Sequence, residues 1–235
     1  MKIVFGNLKM NFLYKDFQDY IENLRMKFLS ETPKVHLGLA IPYIYLKNAS
    51  ESIGSKIKVL AQDLHPVDFG AFTSSVSAAQ LASLNVPATL IGHSECRQLS
   101  QNSFVISNKV KSALRNGLEI IYCCGEDPER EISEELFFMN GDEISKVIIA
   151  YEPISSIGTG QAMDPNGADS TLLRIRDLIS DKYGRKVADS MKLLYGGSVN
   201  LSNYKGYLEK KNIDGVLVGG ASLKVEDLWK MAILE

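Results

Sequence analysis

The sequence predicts an α/β fold, a (β/α)8 barrel in which eight parallel strands are surrounded by helices. Three observations support this prediction. Short apolar runs recur along the 235 residues, each followed by a polar turn and an amphipathic stretch. The repeating unit is about 30 residues long, which is typical of a strand, a right-handed crossover and the next parallel strand. Eight such units can close into a barrel of ~250 residues, whereas the alternative, an open doubly wound sheet, usually has fewer strands.

The predicted strands are short, and several are rich in β-branched residues, as expected for strands that are buried on both faces. In chain order they are Ile3–Phe5, Val35–Ile41, Ile57–Ala61, Ala88–Ile91, Leu118–Cys124, Val147–Tyr151, Lys192–Tyr195 and Gly215–Val218. No linker, low-complexity tract or shift in composition divides the chain. We therefore expect a single domain that spans residues 1–235.

Helices are predicted between these strands from the spacing of apolar residues and from terminal signals. The stretch Asp16–Leu29 carries apolar residues at helical spacing. Asp164 is a suitable N-cap for a helix that begins with Pro165 and continues to Lys182. Val225–Leu234 predicts the last helix. The Glu-rich segment Asp127–Ser145 has the weakest pattern, and we expect one short helix there.

Composition excludes several classes of function. The chain has 26 Lys and Arg against 28 Asp and Glu, a formal net charge of −2, and no basic stripe that would predict a nucleic-acid partner. Its apolar runs are far shorter than the roughly 20 residues of a membrane span, so no membrane partner is expected. Cys96, Cys123 and Cys124 form neither a disulfide framework nor a pattern of zinc ligands. We expect a cytoplasmic protein without a metal site.

Three chemically active side chains follow predicted strands at the carboxyl end of the barrel, where the active sites of such barrels lie. Lys9 follows the first strand, His93 the fourth and Glu152 the sixth. Each alone is more often a salt-bridged residue at a strand end. Together they suit removal of a proton next to a carbonyl group, with an enediolate intermediate. Glu152 would be the general base, His93 would exchange a proton with an oxygen, and Lys9 would stabilise negative charge.

Glycine-rich turns follow the last three predicted strands. They are Gly158–Gly160, Gly196–Ser198 and Gly219–Gly220. Glycine allows a ligand to approach the backbone closely, and the loops after the last two strands form the common phosphate site of this barrel. The first turn is not a dinucleotide-binding fingerprint, because Met163 stands where the third glycine should be. These turns therefore predict a phosphate site at the carboxyl end.

These residues and their neighbours resemble the triosephosphate isomerase family, which has the TIM barrel fold. The joint match is very specific, because the motifs occur in the family's order from the first strand to the last. They are Asn7-Leu8-Lys9-Met10-Asn11, Ala61-Gln62-Asp63, Gly70-Ala71-Phe72-Thr73, Ile91-Gly92-His93-Ser94-Glu95, Ala150-Tyr151-Glu152-Pro153, Ile157-Gly158-Thr159-Gly160 and Tyr195-Gly196-Gly197-Ser198-Val199.

The resemblance implies interconversion of dihydroxyacetone phosphate and D-glyceraldehyde 3-phosphate, without cofactor or metal. By this resemblance Glu152 carries the proton between the two carbons, and His93 is the neutral electrophile that polarises the oxygens. Lys9 stabilises the enediolate and steers the dianionic substrate, which Asn7 helps to orient.

The resemblance also implies how the phosphate is held. Gly158, Ser198, Gly219 and Gly220 would bind it through backbone N–H groups, and residues Pro153–Thr159 would close over it as a lid. Excluding water would protect the enediolate from losing its phosphate.

The sequence departs from the family pattern at several positions. Ser155 replaces a tryptophan of the lid, Ser74-Ser75 replaces a Gly-Glu pair, and Cys96 replaces an arginine. The segment between strands five and six is shortened. In the family the loop that contains Thr73 reaches into a partner subunit, so the resemblance implies a homodimer with an altered interface.

Two other functions remain open from the residues. One is a different enzyme on a phosphate-binding barrel, such as an aldolase or an aromatic-biosynthesis isomerase. A Schiff-base aldolase needs a desolvated lysine on a central strand, whereas Lys146 and Lys192 stand where strands begin. The other is an inactive barrel that serves as a binding partner. That function predicts loss of Lys9, His93 or Glu152, and all three are present.

Overall fold

Eight parallel strands close into a barrel in the computed structural model, which describes residues 1–99, 101–153 and 162–235. Each strand pairs with the next, and the last pairs with the first. The strands are β1 Ile3–Asn7, β2 His36–Ile41, β3 Lys58–Ala61, β4 Ala88–Ile91, β5 Glu119–Cys124, β6 Ile148–Tyr151, β7 Lys192–Tyr195 and β8 Gly215–Val218. The predicted barrel is confirmed, and the open sheet is excluded.

Helices surround the barrel in the described part of the chain. They are α1 Tyr14–Ser30, α2 Leu46–Ile53, α3 Ala78–Ser83, α4 Ser94–Gln98, α5 Ser103–Arg115, α6 Pro128–Leu136, α7 Gly141–Ile144, α8 Pro165–Tyr183, α9 Arg185–Ser190, α10 Tyr204–Leu208 and α11 Val225–Ile233. Asp164 caps α8 as predicted, because its carboxylate accepts the N–H groups of Asn166 and Gly167. None of these helices has the length and apolar character that crossing a bilayer requires.

The expectation of one short helix between β5 and β6 is wrong, because α6 and α7 both lie there. Asn140 starts the second helix. Its side chain accepts the N–H groups of Asp142 and Glu143, while the Glu143 carboxylate accepts the Asn140 N–H. This reciprocal capping box satisfies donors that a four-residue helix would otherwise leave unpaired.

The interior of the barrel is filled by alternate residues of its strands. They are Ile3, Phe5, Ala40, Leu60, Ala88, Leu90, Ile121, Cys123, Ile148, Ala150, Leu194 and Leu217. Since side chains on a strand repeat every two residues, the next inward positions follow at the carboxyl ends of the strands. After Phe5, Ala150, Leu194 and Leu217 those positions are Asn7, Glu152, Gly196 and Gly219, respectively. The strand period thus aims both polar groups and glycines at the mouth of the barrel.

Candidate active site

A cavity of about 300 Å³ lies at the carboxyl end of the barrel. It brings together every predicted site residue that falls in the described part of the chain. Its lining consists of Asn7, Lys9, His93, Glu152, Gly196, Gly197, Ser198, Val199, Asn200, Leu217, Gly219, Gly220 and Ala221. Gly158, most of the predicted lid and Ser155 lie outside the described residues.

Glu152 is buried at the end of β6, with only 2% of its surface exposed. Its Oε2 accepts the backbone N–H of Ser94 at 3.0 Å, and its Oε1 lies 3.4 Å from Nε2 of His93. On the main chain, its N–H donates to the Cys124 carbonyl of β5. The carboxylate is thus held between two groups at the end of β4, on one side of the cavity.

His93 caps the start of α4, and this role fixes which of its ring nitrogens accepts a hydrogen bond. Its Nδ1 accepts the backbone N–H of Glu95 at 3.2 Å. A ring nitrogen that accepts a hydrogen bond carries no proton, so the neutral ring has its proton on Nε2. Nε2 faces Glu152 and lines the cavity. The local fold therefore presents a neutral N–H donor to anything that binds there.

Lys9 has a left-handed backbone, with φ of +50°. Such a conformation is uncommon in a residue with a side chain and needs support from its surroundings. Asn7 Oδ1 accepts the Lys9 N–H at 2.9 Å, and Gln62 Nε2 donates to the Lys9 carbonyl at 3.0 Å. The Lys9 ammonium donates to Glu95 at 2.8 Å. These contacts hold a positive charge at the wall of the cavity, where it can meet an anionic ligand.

Four glycines lie in the remaining wall, and one of them makes room for a catalytic side chain. A Cβ at Gly196 would lie 2.8 Å from Cγ of Glu152. The loop after β7 is fixed at both ends, since the Gly196 N–H donates to the Tyr151 carbonyl and Asn203 donates to the Ser198 carbonyl. The glycines thus allow this side of the cavity to approach a ligand with its backbone.

Buried thiols lie under the site. Burial, and then the nearby Glu152 carboxylate, raise the pKa of the Cys123 thiol well above its ordinary value. Cys124 is affected in the same direction, mainly by burial. Both residues therefore remain neutral packing groups, as their position in an apolar run predicted.

Three supporting residues were not assigned a role from the sequence. Gln62 follows β3, so a polar residue at a strand end was the signal available for it. Ser94 acts through its backbone N–H, which no side-chain pattern reports. Arg97 donates to the carbonyls of Gly92 and Cys123, at the ends of β4 and β5.

The other titratable candidates lie away from the cavity. His36 begins β2 and is exposed, and Lys192 begins β7 at the amino end of the barrel. His65 packs on Phe72 in the loop after β3. Within residues 1–99, 101–153 and 162–235, no group of three or more His, Cys, Asp or Glu side chains is arranged to hold a metal ion.

The arrangement can perform proton transfer. It places a carboxylate, a neutral imidazole N–H and an ammonium group around one small cavity, which is the set required to move a proton beside a carbonyl and stabilise the resulting enediolate. The wall of glycines adds a surface suited to a phosphate.

Comparison with known proteins agrees with this geometry. The family described as "Triosephosphate isomerase" matches residues 2–234. Triosephosphate isomerase of Cytophaga hutchinsonii is 38% identical over 98% of both chains. That of Acetivibrio thermocellus is 37% identical over 98% of this chain and 96% of its own, and that of Neurospora crassa is 37% identical over 94% and 93%. The chain therefore belongs to the triosephosphate isomerase family.

Proposed function

We propose that this protein interconverts dihydroxyacetone phosphate and D-glyceraldehyde 3-phosphate through an enediolate intermediate. The observation that carries the proposal is the meeting of Glu152, His93 and Lys9 in one cavity with a glycine wall. Membership of the family supports the same reaction. The chemistry needs an acid–base pair and a positive charge, and all three are side chains of this chain.

Glu152 is the proposed base. Its carboxylate takes a proton from the carbon next to the carbonyl and returns it to the neighbouring carbon. His93 donates its Nε2 proton to the carbonyl oxygen, on which negative charge develops, and regains a proton from the neighbouring hydroxyl, whose oxygen becomes the new carbonyl. Since Glu152 Oε1 lies 3.4 Å from that nitrogen in the free protein, the substrate oxygen has to take its place beside His93. Glu152 must therefore shift toward the reacting carbon when substrate binds.

Lys9 and the glycine turns are proposed to hold the substrate. The Lys9 ammonium attracts the dianionic phosphate and stabilises the enediolate, and Asn7 fixes the Lys9 backbone. Ser198, Gly219 and Gly220 line the cavity and would present N–H groups to the phosphate. By resemblance, Gly158 adds a further N–H donor to the phosphate. It belongs to the proposed lid, which consists of residues Pro153–Thr159.

A coupled assay with a Glu152→Gln variant tests this function. The wild-type protein, mixed with a dehydrogenase that consumes one product, should turn over triose phosphate rapidly. The variant keeps the size of the side chain but loses the base, so its rate should fall by about three orders of magnitude. Glu134→Gln, on the exposed face of α6, should match the wild type. No turnover by the wild type, or equal turnover by Glu152→Gln, would contradict the proposal.

We also infer a homodimer built around the loop that contains Thr73. The loops after four consecutive strands, β1 to β4, carry exposed apolar side chains: Met10, Ile44, Phe69, Phe72 and Leu99. Exposed apolar surface of this kind favours a protein partner. Asp68 steadies the loop, since its Oδ1 accepts hydrogen bonds from Ser112 and Asn116 of the α5 region at 3.0 Å each.

A cytoplasmic location and a single domain over residues 1–235 stay predictions.

A further inference from the structure

Two buried tyrosines stack beneath the glycine turn that follows β7. Tyr195 is the last residue of β7, and Tyr207 lies on α10. Their ring centroids are 4.3 Å apart and their planes differ by 16°. Neither ring lines the cavity, and the proposed reaction gives Tyr207 no role.

The two hydroxyls hold both sides of one residue, Met163. The Met163 N–H donates to the Tyr195 hydroxyl at 3.1 Å, and the Tyr207 hydroxyl donates to the Met163 carbonyl. Because a carbonyl only accepts, the Tyr207 hydroxyl is the donor in its bond to Met163. The Met163 backbone thus bridges the two tyrosines, with its N–H on one hydroxyl and its carbonyl on the other.

This bridge between the two tyrosines connects directly to the wall of the active site. A Cβ at Gly197 would lie 2.1 Å from the Tyr195 hydroxyl oxygen, so the Gly197 backbone rests on that hydroxyl. Gly197 lines the cavity next to Ser198. A shift of the Tyr195 hydroxyl would therefore shift the turn that is proposed to bind the phosphate.

We propose that Tyr207 is a positioning residue for the phosphate-binding turn Gly196–Ser198. By stacking on the Tyr195 ring and holding the Met163 carbonyl, while the Met163 N–H binds the Tyr195 hydroxyl, it fixes the surface on which Gly197 rests. This inference rests on the proposed function, since it concerns the phosphate of the same substrate. It assigns a role to a phenol hydroxyl that does not touch the ligand.

The test is Tyr207→Phe, with Tyr204→Phe as a matched control. Tyr204 lies on the same helix, is equally buried, and donates its hydroxyl to the Glu235 carbonyl, remote from the cavity. Phenylalanine keeps the stacked ring and removes only the hydroxyl. The affinity for phosphoglycolate, a carboxylate that carries a phosphate, should fall about tenfold in Tyr207→Phe and stay at the wild-type value in Tyr204→Phe.

A second readout separates positioning from packing. For triose phosphate, Tyr207→Phe should raise KM more than it lowers kcat. For glyceraldehyde, which has no phosphate, kcat/KM should be unchanged. Equal phosphoglycolate affinity in Tyr207→Phe and the wild type would overturn the proposal. So would a parallel loss with both substrates, or an equal loss in both variants, because each outcome indicates a general packing effect.

Amide exchange in the wild type keeps the proposal testable even if Tyr207→Phe fails to fold. Phosphoglycolate should slow exchange of the Met163 N–H, because coupling between two sites is reciprocal. Unchanged exchange would overturn the proposal. A wild type that neither isomerises triose phosphate nor binds phosphoglycolate would instead refute the proposed function itself.

Discussion

Glu152 has almost no free space on its β7 side. Glu152 fits there because Gly196 has no side chain. A Cβ at position 196 would lie 2.8 Å from Glu152 Cγ and 3.5 Å from its Oε1. Real Cβ atoms do not come so close to carbon, so any side chain at position 196 must displace the carboxylate. A base displaced by about 1 Å loses much of its effect, because proton transfer depends on hydrogen-bond geometry.

Gly196→Ala should therefore lower kcat by about 100-fold without unfolding the protein. Steady-state kinetics with triose phosphate, together with a thermal melt, measures both effects. Gly141→Ala is the control, since its Cβ would make an ordinary contact with Val187 at 3.6 Å. A Gly196→Ala enzyme with wild-type kcat would show that Glu152 tolerates displacement.

Cys96 should stay protonated in mildly alkaline solution. Burial, and then the Asp63 carboxylate, raise the pKa of its thiol from 9.0 to about 12. Only the thiolate is alkylated, so the logarithm of the alkylation rate should keep rising with pH well beyond 9. Iodoacetamide labelling of the Cys96 peptide measures this rate, and a plateau near pH 9 would contradict the shift.

The raised pKa of Cys96 also affects stability at high pH. Between about pH 9 and 12 the unfolded chain releases the thiol proton before the folded chain does, so the free energy of unfolding falls as pH rises.

Side chains at strand ends were the predictable part of the site. Lys9, His93 and Glu152 follow buried strands, and the two-residue period of β6 aims Glu152 inward. Backbone groups were less predictable. The hydrogen bond from the Ser94 N–H to Glu152 could not be predicted from the sequence, because it depends on how the turn of α4 folds.

Arg97 connects β4, β5 and α6 through hydrogen bonds. Its guanidinium donates to the ends of β4 and β5 and to both oxygens of Glu135 on α6. Burial disfavours the charge, but the hydrogen bond to Glu135, with the neighbouring acidic groups, outweighs it and raises the Arg97 pKa. Since Glu135 is completely buried, it depends on this partner.

Arg97→Met should destabilise the protein by about 3–5 kcal/mol, because it leaves the Glu135 carboxylate buried without its cation. Chemical denaturation measures the loss. Arg130→Met, which removes an exposed arginine from α6, should be indistinguishable from the wild type. Adding Glu135→Leu to Arg97→Met should restore part of the stability. If Arg97→Met alone were as stable as the wild type, the Glu135 carboxylate would not depend on the Arg97 cation, and the account would be contradicted.

Elements with strong periodicity were predictable, and those defined by capping were less so. The apolar period and the Asp164–Pro165 start correctly predicted α8. The helix α7 was missed because four residues contain about one turn, too few to display a period. Its start depends on the capping box of Asn140 and Glu143, which becomes decisive only once the chain is folded there.

At the scale of the whole molecule, closure of the barrel puts the loops after β1 to β4 on one rim beside the active site. The closed topology followed from counting strand–helix units, since eight parallel strands have only a few ways to pair. The proposed homodimer would depend on side chains that the chain exposes there. Phe69 is 79% exposed and Phe72 is 44% exposed, although both are large and apolar.

Thr73→Arg should convert the proposed dimer into a monomer, because a charged side chain at the tip of the loop would be desolvated in the interface. Sedimentation velocity measures the change, with wild-type protein expected at twice the mass of the chain. Lys186→Arg, a conservative exchange on the exposed surface of α9, should remain dimeric. A wild-type protein that sediments as a monomer at micromolar concentration would contradict the homodimer.

The most direct test of Glu152 as the proton carrier is isomerisation in deuterium oxide, with the product examined by NMR. If a side-chain base carries the proton, it can exchange with solvent before its return. Product formed by the wild type should therefore carry deuterium at the carbon that receives the proton. Glu152→Gln should bind phosphoglycolate yet incorporate essentially no deuterium over the same period. Wild-type exchange rates in Glu152→Gln would contradict the central claim, because another group would then be moving the proton.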